Sequence, residues 1–217
     1  MRKICFALAS VLLSINGFGQ KVSWFAGGSA YLDRNLAGSV FAKFNVGFDY
    51  QVHKNVSPEV EVNYYFGFLG DKENLNSNNI PVDNLSRYFN AYGIAFVPKI
   101  TFDDDDKVGS GVFQILPRYS ITKIVANGKL ITLNELDSKK STTETFSFTE
   151  IQHSLGIGMG FICNLSDKSN DRLAINLYYD GINFGNSISN LKYATNKFST
   201  RDAFGLGINY YFPLGKK

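Results

Sequence analysis

The chain has 217 residues, 44% hydrophobic and 15% aromatic, with 22 basic against 19 acidic side chains. That length suits one domain of ordinary size, and a formal charge of +3 with mixed signs excludes the basic footprint of a nucleic-acid binder. Two cysteines, Cys5 and Cys163, exclude a framework of disulfides.

Met1-Arg2-Lys3 precedes an apolar run from Ile4 to Ile15, and Gly17 and Gly19 follow two residues apart. A positive start, an apolar stretch and small residues at that spacing predict a signal peptide over residues 1–19, cleaved before Gln20. The apolar run is shorter than the ~20 residues of a spanning helix. Cleavage of 19 residues from 217 leaves 198, and loss of Arg2 and Lys3 takes the formal charge from +3 to +1. Cys163 is then the single cysteine, so residues 20–217 form one domain without an internal disulfide.

Eight segments with period-two patterning follow, over 21–31, 38–52, 59–69, 88–102, 111–126, 148–163, 171–184 and 200–212. The first leaves its faces open, because Trp24 and Phe25 are neighbours. The second sets Val40, Phe44, Val46, Phe48 and Tyr50 against Lys43, Asn45, Gly47 and Asp49. In the third, Val60, Val62, Tyr64, Phe66 and Phe68 oppose Glu59, Glu61, Asn63 and Tyr65. Tyr92, Ile94, Phe96 and Ile100 oppose Gly93, Ala95 and Lys99 in the fourth; Phe113, Ile115, Tyr119 and Ile121 oppose Gln114, Arg118, Ser120 and Thr122 in the fifth. The sixth alternates Leu155, Ile157, Met159 and Phe161 with Gly156, Gly158 and Gly160. Leu173, Ile175, Leu177 and Tyr179 face away from Ala174, Asn176 and Asp180 in the seventh, and the eighth runs Phe204, Leu206, Ile208, Tyr210 and Phe212 against Gly205, Gly207 and Asn209.

The connections alternate in length. His53–Pro58, Asp103–Lys107 and Asn164–Asn170 are short and polar, whereas 70–87, 127–147 and 185–199 are long; Leu32–Ala37 is a short exception. A soluble lipocalin-type barrel would turn its bulky apolar face inward. Here the apolar face carries almost no charge and suits lipid, while the small and polar face suits a narrow lumen. Strands cross hydrocarbon only as a closed barrel, and each segment reaches the ~9–11 residues that a tilted crossing needs. The expected fold class is therefore all-β: an eight-stranded antiparallel up-and-down transmembrane barrel. Tyr31, Tyr50, Tyr64, Tyr92, Tyr119 and Tyr210 are candidates for its interfacial girdles.

In its leader, strand number, loop asymmetry and the aromatic ending Phe204–Phe212, the chain resembles the small eight-stranded outer-membrane barrels of Gram-negative bacteria, the OmpA/OmpX-like and porin-family barrel domains. It departs from them in the five residues Pro213-Leu214-Gly215-Lys216-Lys217 that follow Phe212. The resemblance implies a location in the cell outer membrane, with the short turns in the periplasm, the long loops outside the cell and outer-membrane lipid around the wall.

Lumen-facing parity collects Lys43, Asp49, Glu59, Glu61, Lys99, Arg118 and Asp180. An eight-stranded bore is filled by side chains, and charges buried there must pair. The expectation is an ion-pair cluster of Glu61, Lys99 and Arg118, with Lys43, Asp49 and Glu59 near it, acting as a structural plug; a gated solute path is the alternative. Pro98 and Pro117 cannot donate to a ladder and predict bulges or weakened pairing. His153 has lipid-facing parity and its neighbour Ser154 the opposite one, so they do not make a nucleophile and base. Asp103–Asp106 reads as a solvated turn rather than a cation site, and Gly156-x-Gly158-x-Gly160 lacks the spacing of a dinucleotide fingerprint. No catalytic residue, cofactor site or metal site is expected. The expected function is a structural or surface-interaction role, with protein partners on loops 70–87 and 127–147. A small porin or transport accessory, and a barrel subunit of a secretion or assembly complex, are the alternatives.

Overall fold

The computed structural model describes residues 22–33, 40–77, 81–102, 111–133, 141–165, 171–194, 199–201 and 203–213. The expected leader over 1–19 and the Asp103–Asp106 turn lie outside the described residues. Eight antiparallel strands follow one another in chain order: β1 Val22–Leu32, β2 Val40–Tyr50, β3 Val56–Leu75, β4 Pro81–Phe102, β5 Gly111–Thr132, β6 Thr142–Asn164, β7 Arg172–Asp180 and β8 Ala203–Pro213. β8 returns to β1, with Phe212 opposite Trp24, and the sheet closes into a barrel. A short helix, α1 Phe184–Ser189, lies between β7 and β8.

The two faces of the pleat divide as the sequence patterning demands. Along β8, Gly205, Gly207, Asn209 and Tyr211 are buried, while Phe204, Leu206 and Ile208 are more than half exposed. The same division holds for Phe44, Val46 and Phe48 on β2 and for Leu155, Ile157, Met159 and Phe161 on β6. Left in water, such a continuous apolar wall would far exceed the patches that soluble monomers tolerate. Lipid removes that cost, and closure of the ladder satisfies the backbone groups within it. Among the described residues no helix is long and apolar enough to cross a membrane.

The structure corrects several expectations. β3 and β4 stay paired through Lys72–Leu85 and Asn74–Asp83, and β5 and β6 through Thr132–Thr142, so most of 70–87 and 127–147 is strand rather than loop. Polar residues on both faces hid the period there. The seventh strand ends at Asp180 rather than 184, and α1 occupies the loop that follows. No bulge sits at the prolines. Phe96–Tyr119 and Ile100–Ile115 share one register, and the β4–β5 pairing lapses only between them. Pro58 faces Pro98 across β3 and β4, so the absent donors cluster at one level. The register shifts instead lie high on β3, between Leu69 and Lys72 and between Asn74 and Leu75. Tyr31 is not in a girdle: Trp24 points outward and stacks on Phe212, which turns Phe25 and Tyr31 into the lumen, both fully buried.

Candidate functional site

Two places concentrate what this fold can do: the packed lumen and the sheet that rises beyond it. In the lumen the expected charged residues come together as two groups rather than one. Near the short-turn end, Lys99 Nζ lies 2.9 Å from Asp49 and 2.8 Å from Glu59. Arg172 Nη2 reaches Asp49 at 2.7 Å, and the Tyr211 hydroxyl donates to Glu59 at 2.9 Å. Strand register explains this group: Asp49 and Glu59 are directly opposite on β2 and β3, and Lys99 lies opposite Ser57 on the next strand. Higher up, Arg118 Nη2 lies 2.5 Å from Glu61 and Nη1 3.6 Å from Asp180, whose other contact is the Tyr31 hydroxyl at 2.8 Å. Glu61 thus pairs with Arg118 and not with Lys99, contrary to the expected triad.

Lys43 is fully buried beside this second group. Its ammonium makes no hydrogen bond among the described residues and lies 4.3 Å above the Tyr178 ring. An amide chain runs on from Glu61 of this second group. Asn45 donates to Glu61 and to Asn209, Asn209 and Asn176 donate to the Tyr178 hydroxyl, and Gln114 donates to Asn176 at 2.6 Å.

Arg172 is the charge that sequence reading missed, although it shares inward parity with Asn176 and Asp180. With it, four cations (Lys43, Lys99, Arg118, Arg172) face four anions (Asp49, Glu59, Glu61, Asp180), and this stretch of the bore is neutral. Tyr178 and Tyr211 were missed too. The bulk of Tyr178 accounts for two lumen glycines: a Cβ at Gly158 would stand 2.9 Å from its ring, and one at Gly207 would stand 2.2 Å from Ser29 Oγ and 2.8 Å from that ring.

Above the charges the lumen turns apolar. Tyr31 stacks on Phe41 at 4.7 Å, and Phe184 of α1 sits on Phe89 at 4.3 Å with Phe41 and Tyr65 at 5.1 and 5.3 Å. The sequence reading carried the seventh strand to 184 and so missed this stopper, because Phe184 belongs instead to the helix after β7.

The expected rim residues are apart. His153 Nδ1 shares a 2.7 Å hydrogen bond with the Tyr119 hydroxyl on the outer wall, while Ser154 points inward to Ser120 Oγ at 2.9 Å.

Beyond the barrel, β3–β6 rise as a four-stranded sheet. β2 accompanies β3 only as far as Gly67, and β7 accompanies β6 only from Gly156, so Thr142 to Ser154 has no strand partner on one side among the described residues. The β3 edge is blunted by its register shifts and by Lys72 and Glu73. The β6 edge, Thr142-Thr143-Glu144-Thr145-Phe146-Ser147-Phe148-Thr149, is rich in strand formers and carries no proline or lysine.

No family model matches the chain, and no curated protein matches it in sequence. Solved structures align over most of its length. Neisserial surface protein A is 10% identical with a TM-score of 0.44, covering 90% of this chain and 97% of that one. Ail, the attachment invasion locus protein of Yersinia pestis, is 12% identical with a TM-score of 0.41, covering 89% and 97%. The N-terminal barrel domain of Pseudomonas aeruginosa OprF is 12% identical with a TM-score of 0.33, covering 88% and 97%. At these values the likenesses carry none of the argument, which rests on the strand order and the burial pattern.

Proposed function

We propose that this protein is an outer-membrane barrel with a structural or surface-interaction role and no chemistry of its own. The observation that carries the reading is the sheet β3–β6, which continues beyond the apolar belt and ends in a β6 edge that no strand covers among the described residues. A row of unpaired backbone groups is a template for a strand of another chain. The filled lumen fits the same reading. Its charges are neutralised in place, and we read Lys43, Asp49, Glu59, Glu61, Lys99 and Arg118 as structural, fixing register from within the bore.

The test is a shortened protein in which both hairpins are cut back to the Phe68–Tyr88 and Asn127–Ser147 pairs. The expected result is a barrel that still inserts and keeps its heat-modifiable gel mobility, while cells bearing it lose surface adhesion relative to the full chain. Equal adhesion by the two would refute the surface-interaction reading and leave the structural one, which sensitivity to detergents would then measure.

A further inference from the structure

The connection between β7 and β8 is built in two layers. Its lower face is apolar: Ile182, Phe184, Ile188 and Leu191 are buried against Phe41, Tyr65, Phe89 and Ile124 of the barrel wall. Its upper face is a set of polar ties to one stretch of β6. Ser187 Oγ and Asn186 Nδ2 both donate to the Glu150 carboxylate, which also accepts from Gln152 at 2.7 Å. Gln152 in turn exchanges two hydrogen bonds with the Asn183 backbone, at 2.9 and 3.0 Å. At the far end Lys192 and Tyr193 donate to Glu144, and Tyr193 is held at φ 66°, a backbone region unfavourable to a side chain. Strain of this kind persists only where surrounding contacts impose it.

All these ties run to the inward-facing residues Glu144, Glu150 and Gln152 of the protruding half of β6, the half that β7 does not brace. We propose that this connection is a latched stopper: Phe184 and Ile188 close the outer mouth of the barrel, and Glu150 holds them shut. Withdrawal of the stopper uncovers a blind aromatic chamber and not a channel, because the two charge groups below still fill the bore. The β6 edge and the mouth are then coupled, since whatever displaces β6 also moves the latch.

The experiment uses the full chain in lipid nanodiscs with Cys163→Ser and Ile188→Cys, treated with a membrane-impermeant maleimide. Ile188 is fully buried, so labelling is slow with the latch intact. Glu150→Ala is expected to speed it about tenfold, the factor that corresponds to losing hydrogen bonds to a charged acceptor. Asn190→Cys, exposed at the surface, serves as the reference and labels at one fast rate in both backgrounds. An Ile188→Cys rate unchanged by Glu150→Ala overturns the proposal. If Glu150→Ala also abolishes heat-modifiable mobility, Ser187→Ala decides instead: it removes a single tie, and faster labelling supports the latch while an unchanged rate refutes it.

Discussion

Arg118→Ala tests whether the lumen charges hold the barrel together. The guanidinium is the only cation seen ion-paired with Glu61 and Asp180 among the described residues, at 2.5 and 3.6 Å, and all three side chains are at most 4% exposed. Its removal leaves two buried carboxylates, one still bound by Tyr31 and the other by the Asn45 amide. Breaking a buried pair by deleting one partner costs about 3–5 kcal/mol, most of it the penalty of the stranded charge. The single tryptophan, Trp24, stacks on Phe212 at 4.2 Å across the β1–β8 seam and reports closure of the barrel. Urea unfolding in lipid vesicles, followed by its fluorescence, gives the loss directly. Glu61→Gln added to Arg118→Ala neutralises one stranded carboxylate and should return at least about 1 kcal/mol in a double-mutant cycle. A loss below about 1 kcal/mol for Arg118→Ala, or no recovery in the double variant, would refute the reasoning.

Two further predictions concern packing and the rim. Gly207→Ala drives a methyl group against Ser29 and Tyr178 and should cost about 1–3 kcal/mol. Gly28→Ala comes no nearer than 3.5 Å to the Phe44 ring and 3.6 Å to the Lys43 backbone, and should stay within about 0.5 kcal/mol in the same unfolding assay. At the rim, hydrogen bonds from Lys192 and Tyr193 hold the Glu144 carboxyl below its ordinary value of 4.5. A lowered carboxyl value means that the tie is fully present above 4.5 and is lost only as pH falls through the lower folded value. In an NMR titration the Glu144 midpoint should therefore rise toward 4.5 in Lys192→Ala; an unmoved midpoint would show that the tie does not form in solution.

The membrane crossing was legible in residues alone because a strand's side chains alternate strictly, so Leu155 to Phe161 and Phe204 to Phe212 declare their outward face without any neighbour. The same parity placed Lys43, Asp49, Glu59, Glu61, Lys99, Arg118 and Asp180 in one lumen, and it contained Arg172, Tyr178 and Tyr211 for a stricter reader. It could not pair them. Partners in the bore come from strands far apart in the chain, and their heights depend on register: Lys99 reaches Asp49 and Glu59, and Arg118 takes Glu61, because of which residues lie level when the sheet closes. Tyr31 shows the limit on a single strand, where Trp24 and Phe25 offered two equal parities until the β1–β8 seam chose one.

The protruding hairpins escaped periodicity for a different reason. Lys72 to Leu75 and Thr142 to Thr145 are exposed and held by cross-strand pairing rather than by one buried face, so no apolar alternation marks them. Phe184 was missed because the seventh segment was read as strand to 184, and its burial exists only where Phe41, Tyr65 and Phe89 converge on it. The sequence by itself thus determined the class of the protein and the direction each strand faces, through a local steric rule. Which charges neutralise one another, what stops the mouth and which edge stays open were decided by closure of the barrel, a long-range event that no local pattern encodes.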